Sequence, residues 1–164
     1  MNFTVIHMGE GKEAYYKEAF SEYQKRMNAF GSLTSIPLKP AKTPGRELSP
    51  DEISLTLDKE AREFEKQLSS PNLSKSYKIA LCIEGKELSS EKLSKLFEKV
   101  ALEGKNSVVF LIGSSWGLHE RVKALCDLRL SFSPMTFPHS LFKVMLAEQI
   151  YRASSISAGS QYHK

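Results

Sequence analysis

Short apolar runs rich in β-branched residues alternate with helical stretches along the whole chain, and this alternation most limits its fold. The runs cover residues 3–8, 33–38, 78–83, 108–112 and 128–132. Helices are expected between and after them, at 12–27, 50–68, 91–102, 118–125 and 138–157. In the first helix, Ala14, Tyr15, Ala19, Phe20 and Tyr23 recur on one face. The second opens on Ser49-Pro50-Asp51-Glu52, with a capping serine, a first-turn proline and acids against the helix dipole. The second run is short because Pro37 and Pro40 interrupt it, and 84–86 reads as a turn. Strand, helix, strand in this rhythm predicts an α/β protein, a three-layer, mostly parallel sheet in a single domain. In such sheets ligands sit outside the carboxyl ends of the strands. Two loops qualify: 113–117, made of small residues and Trp116, and 133–138.

The last helix has an unusual pattern. Leu141, Phe142, Val144, Met145, Leu146, Ile150, Tyr151 and Ile156 wrap most of its circumference. A helix apolar all round is buried against more than one neighbour, and another subunit is a candidate for one of them. Hydrophobic residues make up 41% and charged residues 26% of the 164, enough for a core without disulfides. Cys82 and Cys126 lack metal-ligand spacing and read as reduced thiols. The histidines His7, His119, His139 and His163 show no paired spacing, so no metal is expected. His7 in its strand reads as structural and His119 as solvated. No secretory leader or membrane span is recognised at the start or within the chain, so a cytoplasmic location is expected. The net charge of +4 permits a polyanionic partner without demanding one. Lys39, Lys42 and Arg46 lie in or beside the Pro- and Gly-containing loop 40–50, as a flexible surface or as phosphate contacts.

Several motifs can carry chemistry. Gly113-Ser114-Ser115-Trp116-Gly117 fits the G-x-S-x-G elbow of α/β-hydrolases, and Asp127 with His139 or His163 would complete the chain order. The stretch after Gly117 is too short for a hydrolase sheet, and the pattern is common by chance. A ligand loop uses the same small residues to bring backbone N–H groups close. His139, at the first turn of the last helix, lies near exposed N–H groups that disfavour its charge; it caps the helix or contacts substrate. Glu148 and Arg152 are four apart and can pair, although a partly buried arginine also suits phosphate. Tyr162-His163-Lys164 joins an aromatic ring, an imidazole and an ammonium, the groups that stack on a base and hold a phosphate.

These motifs together resemble one family. Residues 81–93 (LCIEGKELSSEKL), 110–118 (FLIGSSWGL), 130–139 (LSFSPMTFPH), 148–153 (EQIYRA), the terminal YHK and the opening from Phe3 to Arg26 match it across essentially the whole chain. The family is the bacterial ribosomal large-subunit pseudouridine N3-methyltransferases of the SPOUT superfamily. The resemblance implies a homodimer with a C-terminal trefoil knot that binds S-adenosylmethionine (S-adenosyl-L-methionine) in the knot. It implies cofactor contacts at Leu81, Gly113, Phe132, Ser133, Pro134, Met135, Thr136 and Phe137. It implies that Arg152, His139, Tyr162 and His163 hold a pseudouridine of 23S ribosomal RNA, within the assembled ribosome. A non-catalytic RNA-binding or ribosome-assembly protein of the same fold is the alternative. The family has glycine where Ser114 stands; if that position requires positive φ, Ser114 strains the loop. Trp116 reads as a stacking platform or as a lid on the apolar slot.

Overall fold

A computed structural model describes residues 1–160 and Tyr162. Five strands alternate with five helices: β1 Asn2–Met8, α1 Ala14–Met27, β2 Ser32–Leu38, α2 Pro50–Leu68, β3 Tyr77–Glu87, α3 Ser90–Leu102, β4 Ser107–Ile112, α4 Glu120–Ala124, β5 Leu128–Ser131 and α5 His139–Ser157. All neighbouring strands run parallel, in the order β2-β1-β4-β3-β5. Side chains along each strand leave the sheet alternately. Phe3 and Val5 of β1, Val108 and Phe110 of β4, and Ile79 of β3 face a core completed by α1, α3 and α5. Ile6, Met8, Val109, Leu111 and Ala80 face the opposite core with α2 and Val122 of α4. The expected three layers follow from this two-sided burial.

Local signals explain most element boundaries. Ser49 caps α2 and its side chain accepts from the Glu52 backbone, while the Glu52 carboxylate accepts from Ser49 N, a reciprocal box around Pro50. Ser89 caps α3 in the same way through Lys92 N.

β2 has nearly the expected extent and includes Pro37, because it is an edge strand where a missing N–H is tolerated. Two sequence expectations need correction. On α1 the buried side is set by Phe20 and Met27, and Tyr15 points out at 62% exposure. Residues 84–86 are strand. β3 continues to Glu87 alongside β5, with a register shift between Leu81 and Lys86. There a Cβ on Gly85 would lie 2.6 Å from the Leu130 backbone, so the two strands pass too closely for any side chain.

α5 explains its own wrapping in part. It packs between α1 and α3 on one face of the sheet, burying Leu146, Ala147, Ile150 and Ala153. Leu141, Phe142, Val144, Met145, Tyr151 and Ile156 remain half-buried in the single chain.

Candidate functional site

The carboxyl ends of β3, β4 and β5 open into a cavity of about 710 Å³, within the range of small-molecule sites. Its lining includes Leu81 of β3, Ile112 at the end of β4 and Leu130 of β5. One wall is the loop after β4. Here a Cβ on Gly113 would meet the Gly117 carbonyl oxygen at 2.0 Å, so only glycine fits. The turn closes with Gly117 N donating to Ser114 O at 2.8 Å. The facing wall is the segment after β5. Ser133 braces it, its Oγ accepting from Met135 N at 3.0 Å and its carbonyl accepting from the Ser131 hydroxyl at 3.2 Å. Phe132 and Phe137 both pack on Phe142 of α5, edge-on at 4.9 Å and stacked at 6.0 Å. The result is an apolar slot edged by backbone and hydroxyl groups.

Of the proposed cofactor contacts, Leu81, Gly113, Phe132, Ser133, Met135, Thr136 and Phe137 line this single cavity, and His139 joins them. Pro134 is exposed and does not line it. Residues the motifs did not single out also contribute: Cys82, Ile83, Phe142 and Lys123. The ammonium of Lys123 is tied to Glu84 and Glu120. Trp116 stands at the wall, 39% exposed.

Ser114 is unstrained, because no non-glycine residue has positive φ among the described residues. Its Oγ is instead buried with no hydrogen-bond partner, inside the cavity wall. A buried hydroxyl without a partner is costly, so a polar ligand atom suits this point.

The α/β-hydrolase reading fails on geometry. Asp127 precedes β5, at the amino ends of the strands, where it accepts from Lys78 N at 2.7 Å and pairs with Lys105 at 3.3 Å. Ser115 lies at the carboxyl ends. His119 is not merely solvated: its Nδ1 caps α4 by accepting from Arg121 N at 3.0 Å.

The expected nucleotide-holding residues divide. His139 sits at the cavity but does not cap α5, whose N-cap is Pro138. Burial is the first cause holding its pKa below the usual histidine range, with the Glu60 carboxylate opposing. Arg152 is thirteen positions along the helix, roughly 20 Å away. There it donates twice to Glu148, at 2.6 and 2.9 Å, and lies 4.8 Å over the Tyr162 ring. Tyr162 donates to the same carboxylate at 3.3 Å and meets Tyr151 edge-on. Glu148 borders a second cavity of about 440 Å³, separated from the first by Leu130 and Phe132, which line both. His163 lies outside the described residues.

Both cysteines are free thiols. Burial pushes the Cys126 thiol up to about 12 and raises Cys82, which disfavours the reactive thiolate. Among the described residues, no cluster of His, Cys, Asp or Glu could hold a metal ion, and no helix is long and apolar enough to cross a membrane.

A third, smaller cavity was not anticipated. His7, His139 and Lys143 meet at the carboxyl end of β1, beside the main site. Lys143 is a cation set among Leu141, Phe142, Val144 and Met145 with no acidic residue in the first turn, and that was the available sequence signal.

The chain was compared with known proteins. A family model described as "Predicted SPOUT methyltransferase" matches residues 1–163. A relative from Clostridium acetobutylicum, named ribosomal RNA large subunit methyltransferase H, is 44% identical over 166 residues, covering all of both chains. One from Methanococcus maripaludis, named as a putative ribosomal RNA large subunit methyltransferase H, is 42% identical with the same coverage. The crystal structure of a tRNA (m1G37) methyltransferase from Aquifex aeolicus superposes with a TM-score of 0.51 at 20% identity, over 100% of this chain and 73% of that one. The parallel sheet, the cavity at its carboxyl ends and these matches lead to one conclusion: the chain belongs to the SPOUT methyltransferase family.

Proposed function

We propose that this chain methylates N3 of a pseudouridine in large-subunit (23S) ribosomal RNA, using S-adenosylmethionine. It works as a cytoplasmic homodimer of single knotted domains, on the ribosome. The observation that carries this reading is the cavity itself. Seven of the eight cofactor positions implied by the resemblance, from three separated stretches of sequence, line one slot. The full-length relatives named as large-subunit ribosomal RNA methyltransferases support the substrate class.

The residues present fit the cofactor. A planar adenine suits the slot between Leu81, Phe132, Phe137 and Phe142, and backbone groups of 132–137 edge it. The unpartnered Ser114 Oγ offers a hydrogen bond to a polar ligand atom. When bound, S-adenosylmethionine supplies an electrophilic methyl group on a sulfonium centre.

The chain's own work is positioning, desolvation and loss of the N3 proton. His139, at the cavity with its pKa pushed down by desolvation, can hydrogen-bond to the nucleobase. Arg152 and Tyr162 form one unit through Glu148, with the guanidinium and ring already stacked. Stacked aromatic and guanidinium planes are what hold an unstacked base. Because this unit lies roughly 20 Å along α5 from His139, it completes the site best from a second copy. The half-buried residues of α5 are the surface that a second copy would cover.

The test is calorimetry with S-adenosylmethionine followed by transfer of labelled methyl to large ribosomal subunits. Binding and label on a pseudouridine are expected. No heat and no thermal shift at millimolar cofactor would instead support a non-catalytic RNA-binding protein.

A further inference from the structure

We infer that the small cavity at the carboxyl end of β1 is a subsite for an RNA phosphate, adjoining the nucleotide that is methylated. This rests on the RNA substrate proposed above. The cavity holds about 200 Å³, too little for a nucleoside and ample for a phosphate group. His139 belongs to both this cavity and the main one, so a ligand can span the two.

Its chemistry is that of an anion site. Lys143 is 9% exposed, on the side of α5 that meets β1 and α1. Among the described residues no carboxylate lies within ion-pair distance of its ammonium. Its partners are the neutral His7 Nε2 at 3.4 Å and the face of Phe20 at 4.9 Å. Burying an ammonium without a counter-charge is unfavourable, and an ammonium has three protons to donate. His7 Nε2 also meets the Ser35 hydroxyl at 2.8 Å, which fixes the ring. Burial, with Lys143 second, depresses the His7 pKa to about 4, so this ring adds no competing proton. The first turn of α5 brings Ser140 and an uncapped helix start with no acidic residue.

The charged surroundings are few. Glu10 borders the cavity and its negative charge acts on Lys143 and His7, but from outside ion-pair distance of Lys143; its carboxylate is 55% exposed and pairs with Lys17 at 3.9 Å. Lys17 also acts on Lys143, and Glu60 acts on His139 from the opposite layer. Gly9 N donates to Leu38 O at 2.8 Å, which joins the loop after β1 to the end of β2. Lys12, Lys39 and Lys42, in the loops that follow these two strands, are exposed.

The experiment measures binding to large ribosomal subunits over a range of salt concentrations, alongside S-adenosylmethionine affinity. In Lys143→Met, affinity for the subunits should fall about tenfold and the salt slope by about one, with cofactor affinity unchanged. Lys143→Arg should bind like the parent chain. Glu10→Gln, an exposed change that leaves folding intact, should tighten binding severalfold. Inorganic phosphate should raise the unfolding temperature of the parent chain, and raise it further in Glu10→Gln. Unchanged subunit affinity and slope in Lys143→Met would overturn the inference. So would selective loss of S-adenosylmethionine affinity, which would assign the cavity to the cofactor's carboxylate. If Lys143→Met does not fold, absence of any phosphate effect on the parent chain and Glu10→Gln overturns it. If the parent chain does not bind large subunits, the RNA reading fails, and the phosphate titration alone decides the cavity.

Discussion

The two ends of α5 carry similar cations in opposite states. At the carboxyl-terminal end, Arg152 is satisfied within its own chain by Glu148 and sandwiched by Tyr162. At the amino-terminal end, Lys143 is more deeply buried, yet it has only an imidazole and a ring for company. The difference teaches how one helix can serve two sites. A charge paired in place is oriented but unavailable until something competes for it. A charge buried without a counterion is available to whatever anion enters its cavity. The slot opens near the second end, so under the proposed function the first end completes the site from another copy.

The largest expected effect breaks the carboxyl-terminal end. Deleting residues 161–164 removes Tyr162 from Arg152 and should lower methyl transfer by about 10²–10⁴-fold, while calorimetry finds cofactor binding retained. Unchanged turnover would remove the tail from the site.

The next effect probes the amino-terminal end by pH. The folded His7 pKa of about 4 lies below its ordinary 6.5. The unfolded chain therefore binds more protons in that interval, and stability rises with pH across it. The contribution is complete above about 6.5 and lost as pH falls towards 4, amounting to ~3 kcal/mol at most. Denaturant titrations of the parent chain and His7→Asn at several pH values should show a weaker dependence in the variant, which keeps only the same-signed contribution of His139.

Between the two ends lies the slot. Gly113→Ala forces a Cβ against the Gly117 carbonyl and should cost about 1–3 kcal/mol of stability, with weaker cofactor binding, read by thermal unfolding and calorimetry. The smallest effect is expected from Ser114→Ala. It removes an unpartnered buried hydroxyl, so the free chain should keep or gain stability, while cofactor affinity falls by about 0.5–1.5 kcal/mol. Equal cofactor affinity would show that this hydroxyl does not meet the ligand.

The sheet and its layers were legible because their signals are local. Ser49 caps where sequence places it, and the apolar runs of β1 and β4 fall one residue from their observed starts. β3 was cut short in sequence because Gly85 looks like a turn residue. Its true role, admitting the backbone of β5, depends on a strand more than 40 positions away. The two loops that wall the slot were legible from the strand-end rule, but its individual contacts only through the resemblance, since no spacing rule joins Leu81, Gly113 and Phe132. The pairing of His7 with Lys143 was invisible, because each looks ordinary in its own element and β1 and α5 stand at opposite ends of the chain. The strain expected at Ser114 was absent because its backbone never adopts positive φ.

The most direct measurement is mass mapping of large-subunit ribosomal RNA from cells with and without this gene. The account predicts one pseudouridine-containing fragment lighter by a single methyl group when the gene is absent, restored by the parent chain but not by the chain lacking residues 161–164. Identical fragment masses in both cells would contradict it.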